Sequence, residues 1–328
     1  MTNNYPLVSI IIPTYNSSDY IIDTLRKLES QSYKNFEIIV VNDGSKDNTL
    51  ELLKAEEIIN PRLKVIDKTN GGVSSARNSG IRNAQGRFIS FLDDDDEFDP
   101  DYLIKMYARY RETGAKAIYC GFYGYSTKNG ITYSAMNSAF NEGALLMDFL
   151  NKRVRFHIGC LFLSKRFVEE NYLYFDETLH LGEDLHYIYN LIISCYIYAV
   201  PYYLYTHVYR ENSLMNSKRS LEHYQHETYA HEKIYSLIMD RYQGTDKEEV
   251  GKILNLNMFR HKIRYMWKIL LLGKFDLLEQ SVISNYSELK SYNNLMVLEG
   301  KYKRKARVLA SGNKLLWKCV RLINKNTK

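Results

Sequence analysis

The sequence predicts an α/β protein built on a mostly parallel open sheet, followed by a helical C-terminal region. Three observations predict it. In the first hundred residues, short apolar runs alternate with amphipathic stretches at the spacing of strand–helix repeats. Turn residues such as Asn42-Asp43-Gly44-Ser45 close the runs. Beyond about residue 213 proline is absent, glycine is sparse and helical periodicity takes over.

The elements follow in order. Leu7–Pro13 is a continuous apolar run, as suits a strand covered on both faces. Ser17 or Ser18 caps a helix to about Gln31, with Ile21, Ile22, Leu25 and Leu28 inward. Phe36–Val41 is the second strand, and a helix follows to about Ile59. Leu63–Ile66, Val73–Ala84 and Arg87–Leu92 read as strand, helix and strand. Such repeats imply right-handed crossovers. Pro100 opens another helix, to about Thr113. Residues 115–213 mix short strands with helices near 142–150 and 182–194. In the remainder, Val250, Ile253, Leu254, Met258, Ile263, Met266, Trp267 and Leu270 form one helical stripe. The expected division is therefore residues 1–213 and 214–328, with a basic amphipathic tail at 301–328.

Composition narrows the classes. With 328 residues, 45% apolar and 25% charged, the chain is neither disordered nor fibrous. Its net charge is +6, but residues 301–328 hold ten Lys/Arg and no acid. Residues 1–300 carry 34 basic and 38 acidic side chains, a net −4. The four cysteines have neither zinc-site spacing nor the density of a disulfide framework, which suits a reducing, cytoplasmic location. Met1–Pro6 does not read as a signal peptide. The uncharged stretch Tyr187–Tyr205 contains seven tyrosines and Pro201, too polar for a spanning helix. A buried helix followed by a strand suits it better. The 29 tyrosines fit sugar-stacking platforms or an amphipathic core, and core suits most of them.

Open parallel sheets bind ligands at the carboxyl ends of their strands. After the first strand comes Pro13-Thr14-Tyr15-Asn16, which lacks the glycine-rich turn of a dinucleotide site. After the second comes Asp43, able to accept from a ribose hydroxyl or a base N–H, or to serve as turn chemistry. After the third comes Asn70-Gly71-Gly72, with Arg77 one turn into the next helix. Glycines allow close backbone approach, a helix start attracts anions, and an arginine offers a phosphate two donors. After the fourth come five consecutive acids, Asp93-Asp94-Asp95-Asp96-Glu97. A bound Mg²⁺ or Mn²⁺ would offset their repulsion; a solvated acidic turn is the plainer alternative. Gly182-Glu183-Asp184 starts a later helix, where a carboxylate is a cap or, beside a metal–phosphate site, a general base.

These segments resemble glycosyltransferase family 2, enzymes of the GT-A fold. The matching residues are Val8–Asn16, Val40–Ser45, Asn70-Gly71-Gly72 with Ala76-Arg77-Asn78, Phe91–Asp96 and Gly182-Glu183-Asp184, in the family's order and spacing. The resemblance covers about residues 7–213. It implies that Pro13, Tyr15, Asn16 and Asp43 line the nucleoside pocket, with Asp43 on the base. Asn70, Gly71 and Arg77 would flank the nucleotide and its pyrophosphate. Asp93-Asp94-Asp95 would be the DxD motif, with Asp95 on the metal, Asp93 on ribose or a metal-bound water, and Asp94 beside them. Asp184 would be the catalytic base. Tyr209-Arg210-Glu211-Asn212-Ser213 resembles a segment that closes over pyrophosphate or acceptor. His207 reads as an ordinary strand histidine or a further metal ligand.

The resemblance implies an inverting, non-processive hexosyltransferase dependent on Mn²⁺ or Mg²⁺. It would move a sugar from a nucleoside-diphosphate sugar, a UDP-sugar, to a hydroxyl of a glycan, lipid-linked or protein-linked acceptor in cell-surface polysaccharide or glycoconjugate assembly. The QxxRW motif of processive members is absent from the sequence. A non-catalytic nucleotide-sugar-binding subunit is the alternative. The tail itself supports two readings. Leu315, Leu316, Trp317, Val320, Leu322 and Ile323 beside Lys314, Lys318, Arg321 and Lys325 fit an interfacial helix on an anionic membrane. They also fit a helix packed on its own domain or on a second copy. Nucleic acid is not expected, since no recognisable module is present.

Overall fold

The computed structural model describes residues 6–126, 131–135, 139–209, 219–294 and 300–325. The chain divides into two compact units, Met1–Ser217 and Lys218–Lys328.

The first unit opens with β1 (Val8–Thr14), α1 (Ile21–Leu28), β2 (Phe36–Asn42), α2 (Thr49–Ile59), β3 (Leu63–Asp67), α3 (Val73–Asn83) and β4 (Phe88–Phe91). β1 pairs in parallel with β2 and β4, and β2 with β3. Every residue of β1 is buried. That is the burial expected of an apolar run covered on both faces. On one face α3 lies against β1 closely enough that Gly80 is required. A Cβ there would sit 2.3 Å from Ile11 Cγ2.

The helix expected from Ser17 to Gln31 is shorter. The Ser17 hydroxyl is not a helix cap, because it donates to the Asp94 carboxylate. The Ser17 carbonyl instead accepts from Tyr20 and Ile21 N–H. At the other end the chain tightens into i→i+3 bonds after Leu28. Buried Gln31 there bridges the Asp99 carbonyl and the Leu103 N–H.

The second half of the sheet is mixed. It contains β5 (Glu97–Phe98), α4 (Tyr102–Thr113), β6 (Ala117–Ser126), β7 (Ile131–Ala135), α5 (Leu146–Leu150), a 3₁₀ turn (Ile158–Cys160), β8 (Leu161–Ser164), α6 (Lys165–Glu170), α7 (Glu183–Ser194) and β9 (Ile197–Tyr209). The strand order is β3-β2-β1-β4-β8-β6-β9-β5, with β7 on the side of β6. β8 runs antiparallel to β4 and β6, while β6 and β9 are parallel. The result is one open α/β sheet of nine strands among the described residues. Its apolar centre incorporates many tyrosines. Tyr102 and Tyr119 are fully buried, and their hydroxyls donate to the carbonyls of Leu161 and Asn141.

The second unit is helical: α8 (Leu221–Arg241), α9 (Lys247–Leu272), α10 (Phe275–Ser284), α11 (Tyr286–Asn294), α12 (Gly300–Ala310) and α13 (Lys314–Lys325). Six residues of the expected α9 stripe are buried: Val250, Leu254, Met258, Ile263, Met266 and Leu270. Phe259 and Ile269 join them, whereas Ile253 and Trp267 are half-buried. α9 contacts α8, α10, α12 and α13, so its buried face is wider than one stripe. Trp317 of α13 completes this core and is 1% exposed. No helix among the described residues is long and apolar enough to cross a membrane.

Candidate active site

The carboxyl ends of β1 to β4 open into a cavity of about 460 Å³. Pro13, Tyr15, Asp43, Asn70, Arg77, Asp93, Asp94 and Asp95 line it together with Thr14, Gly72, Val73 and Ala76. The fold thus brings together eight residues picked from four separate stretches of sequence. Asn16, Gly71 and Asp184 are not on its lining.

Asp43 organises one wall. Its backbone N–H extends the β1–β2 pairing by donating to the Thr14 carbonyl. Its carboxylate accepts from the N–H groups of Gly71 and Gly72, at 2.9 and 2.7 Å, and from Lys68 Nζ at 2.6 Å. Asn70 donates to the Asp43 carbonyl at 2.8 Å. Gly72 sits at φ +85°, a conformation that L side chains rarely adopt. The turn that starts α3 is therefore held by Asp43 before any ligand arrives. Asn16, at φ 54°, ties loops together: its side-chain oxygen accepts from Lys46 N–H, and its own N–H donates to Ser45 Oγ.

The acidic turn after β4 resolves its own repulsion residue by residue. Asp93 pairs with Arg77 at 2.8 Å. Asp94 accepts from Thr14 Oγ1 at 2.6 Å and from Ser17 Oγ. Asp96 is fully buried and accepts from Tyr205, His207 Nδ1 (3.0 Å) and Val208 N–H (2.7 Å), which fastens the turn to β9. Glu97 meets Lys27. Asp95 faces the cavity. Protein partners therefore do much of the neutralising that the sequence alone assigned to a metal.

The charges perturb one another. Burial raises the Asp94 pKa; the two hydroxyl donors oppose this, and the neighbouring Asp95 and Asp93 reinforce it, leaving the carboxyl at about 6. Burial alone would raise Asp93, but the Arg77 guanidinium beside it holds it below the usual carboxylate range. Burial works against the charged form of Arg77, and Asp93 and Glu183 more than offset it. Burial lowers His207, yet the hydrogen bond and charge of Asp96 bring it above its ordinary value.

Arg77 reaches across to α7. Its second guanidinium nitrogen lies 3.3 Å from Glu183, and the group stands over the Phe175 ring at 5.2 Å. Burial and the Asp184 charge raise the Glu183 pKa, with Arg77 opposing. Asp184 occupies the first turn of α7, where its Oδ1 accepts from the Leu185 N–H at 2.6 Å. Its charge acts on both Arg77 and Glu183, so it belongs to the same electrostatic cluster.

Among the described residues, Asp93, Asp96 and His157 bring ligand-type atoms within 4.8 Å of one another. Carboxylate and imidazole donors suit Mn²⁺, and carboxylates alone suit Mg²⁺. Both Asp96 oxygens already accept protein hydrogen bonds, whereas Asp93 uses one on Arg77. His157 carried no motif signal, because it reaches this place through the turn before β8. Its ring stacks on His207 and Tyr205, 5.2 and 5.3 Å between centroids. Thr14 and Ser17, the donors to Asp94, were visible only as neighbours of the first motif. Arg210 and Ser213 lie outside the described residues.

Comparison with known proteins bears on the family and the fold. The family model described as Glycosyl transferase family 2 matches residues 9–173. The putative teichuronic acid biosynthesis glycosyltransferase TuaG of Bacillus subtilis is 44% identical over 107 residues, covering 32% of this chain and 42% of TuaG. Glycosyltransferase GlyA of Streptococcus pneumoniae is 35% identical over 126 residues, 38% of this chain and 18% of GlyA. The chain thus spans less than half the length of these relatives. S. aureus TarS 1–349 in complex with UDP-GlcNAc superposes with a TM-score of 0.66 at 22% identity, covering 93% of this chain and 90% of that one. The mannosyltransferase PcManGT of Pyrobaculum calidifontis, in complex with GDP-Man and Mn²⁺, gives 0.56 at 16% identity, covering 98% and 89%. Both likenesses are of fold: a GT-A sheet with a helical region after it.

Proposed function

The chain belongs to glycosyltransferase family 2, and from that premise we propose that it transfers a sugar from a UDP-sugar to an acceptor hydroxyl with inversion. The observation that carries this reading is the cavity itself. It gathers Asp43, Asn70, Arg77 and the acids Asp93, Asp94 and Asp95 at the carboxyl ends of parallel strands. TarS, of the same fold, binds UDP-GlcNAc, and TuaG is named for teichuronic acid biosynthesis. An acceptor in cell-surface polysaccharide or glycoconjugate assembly fits those relatives. Four free thiols, Cys120, Cys160, Cys195 and Cys319, fit a cytoplasmic site of action.

In this reading Pro13, Tyr15, Asn16 and Asp43 form or support the nucleoside pocket. Tyr15, 44% exposed, offers a ring at its mouth. Asp43 accepts from the base N–H, and Asn70 and Gly71 hold the adjoining wall. Arg77 holds Asp93 and presents positive charge towards the diphosphate. Asp94 stays anchored on Thr14 and Ser17. Asp95 and Asp93 would hold Mn²⁺ or Mg²⁺, with the ring of His157 in reach as a further donor. When bound, such a cation neutralises charge on the departing diphosphate. Asp184 takes the acceptor hydroxyl proton as that oxygen bonds to the anomeric carbon. The bond from that carbon to the diphosphate oxygen breaks, and UDP leaves from the opposite face. A leaving diphosphate needs no protonation, so one carboxylate base suffices.

The test is nucleoside-diphosphate release from a panel of UDP-, GDP- and dTDP-sugars with Mn²⁺. Release from a UDP-sugar is expected. Tight binding of UDP-sugars without any release would favour a non-catalytic binding subunit.

A further inference from the structure

We propose that the outer face of α13 is a docking surface for an anionic lipid bilayer. The helix is already folded and its orientation fixed by its inner face. The Trp317 indole N–H donates to the Val308 carbonyl at 2.8 Å, inside the helical core. Arg321 donates to the carbonyls of Leu271 and Leu272, both at 3.3 Å, and so closes the end of α9. Asn313 Oδ1 accepts from the N–H groups of Leu315 and Leu316, capping the start of α13.

That anchoring turns the other apolar side chains outward. Leu315 is 73% exposed, Leu322 62%, Ile323 64% and Leu316 39%. Leu315 and Leu322 lie two turns apart, as do Leu316 and Ile323, so the four form one stripe. A folded helix whose apolar stripe faces away from its own core needs no ordering before it binds.

Charge selects the occupant. Residues 301–328 carry ten Lys/Arg and no acid. Arg304, Arg307 and Lys318 are exposed, and Lys314 pairs with Glu279 across the unit at 2.7 Å. A second copy meeting this face through a two-fold axis would bring like charges together. An anionic leaflet complements both the stripe and the charge. At about 1.5 Å per residue, twelve residues reach roughly 18 Å, too short to span a bilayer, so the helix lies in the interface.

The test is co-sedimentation of the full chain with vesicles of phosphatidylcholine alone or mixed with phosphatidylglycerol. The parent should partition into the anionic vesicles about tenfold more than into neutral ones, and less as salt rises. Leu322→Ser with Ile323→Ser should lower that partitioning about tenfold, with circular dichroism unchanged because both side chains lie outside the core. Truncation is the wrong variant, since it would also remove Trp317, Ala306 and Leu309 from the core. Equal partitioning of parent and variant, or no preference for anionic vesicles, would overturn the proposal. So would a parent dimer that the double variant converts to monomer, which would assign the stripe to a second copy. Binding is read without turnover, so the result stands apart from that of the sugar-transfer assay.

Discussion

Arg77 joins two carboxylates from distant parts of the first unit's sequence: Asp93 at 2.8 Å and Glu183 at 3.3 Å from its guanidinium nitrogens. The arginine is 4% exposed. Through it the acidic turn after β4 and the first turn of α7 share one counter-charge. The candidate metal ligands and the candidate base are thereby set in a common frame.

Removing that counter-charge should be costly. Arg77→Ala leaves two partly buried carboxylates facing each other, and breaking a buried pair costs about 3 kcal/mol. Arg77→Lys keeps the charge on a single nitrogen that cannot span both partners. Urea unfolding should rank the proteins wild type, Arg77→Lys, Arg77→Ala in falling stability. Sugar transfer should drop in both variants. An Arg77→Ala protein of unchanged unfolding midpoint would show that the bridge contributes nothing.

Asp184→Asn separates binding from chemistry. The amide keeps the shape and can still accept from the Leu185 N–H, but it cannot take a proton. Transfer should fall about 10³-fold, the scale of a lost general base, with UDP affinity within about twofold of wild type. Retention of most activity would move the base elsewhere, with Glu183 the nearest candidate.

The metal reading is tested by nucleotide affinity rather than turnover. Calorimetric titration of UDP with and without Mn²⁺ should show a Mn²⁺-dependent gain that Asp95→Ala removes. His157→Ala should raise the Mn²⁺ concentration needed about tenfold if its ring is a ligand. UDP affinity in Mn²⁺ that Asp95→Ala leaves unchanged would count against the site.

What the sequence could disclose follows from how far each interaction reaches. β1, β2, β3 and β4 were legible because strands covered on both faces read as continuous apolar runs, and the turns after them carry local motifs. The antiparallel placement of β8 between β4 and β6 was not, because pairing of short strands is decided by long-range packing. Within the site, Asp43, Asn70, Arg77 and the acidic run stood out by residue type and spacing. The partners that hold them did not. Asp94 is tied to Thr14 across eighty positions and Asp96 to Val208 across 112. The tail was half legible. Its amphipathic pattern was plain, but Trp317 pointing inward while Leu322 points outward depends on what α9 and α12 present to it.

The helical unit should lose stability on mild acidification. His231 of α8 stacks on His261 of α9 with ring centroids 3.7 Å apart. Glu227 faces them, 3.5 Å from His261 and 3.0 Å from Arg264. Burial, with the His261 charge behind it, pushes His231 down to about 4. Between the ordinary histidine value near 6.5 and about 4, the unfolded chain binds a proton that the folded chain refuses. Stability therefore rises with pH across that window and is lost as pH falls through it. Glu227 behaves differently. Burial would raise it, but His261 and Arg264 hold it at about 2. Its contribution is whole above about 4.5 and fades only below that. Between pH 6.5 and 4.5 the loss is thus chiefly that of His231, on the order of 2 kcal/mol after allowing for partial exposure, with His223 of the same helix, also held down by burial, adding in the same direction. His231→Phe preserves a stacked ring and removes the titration. Urea unfolding at pH 7 and pH 5 should show a marked loss in the wild type and little in the variant. Equal losses in the two proteins would mean that another group sets the acid sensitivity.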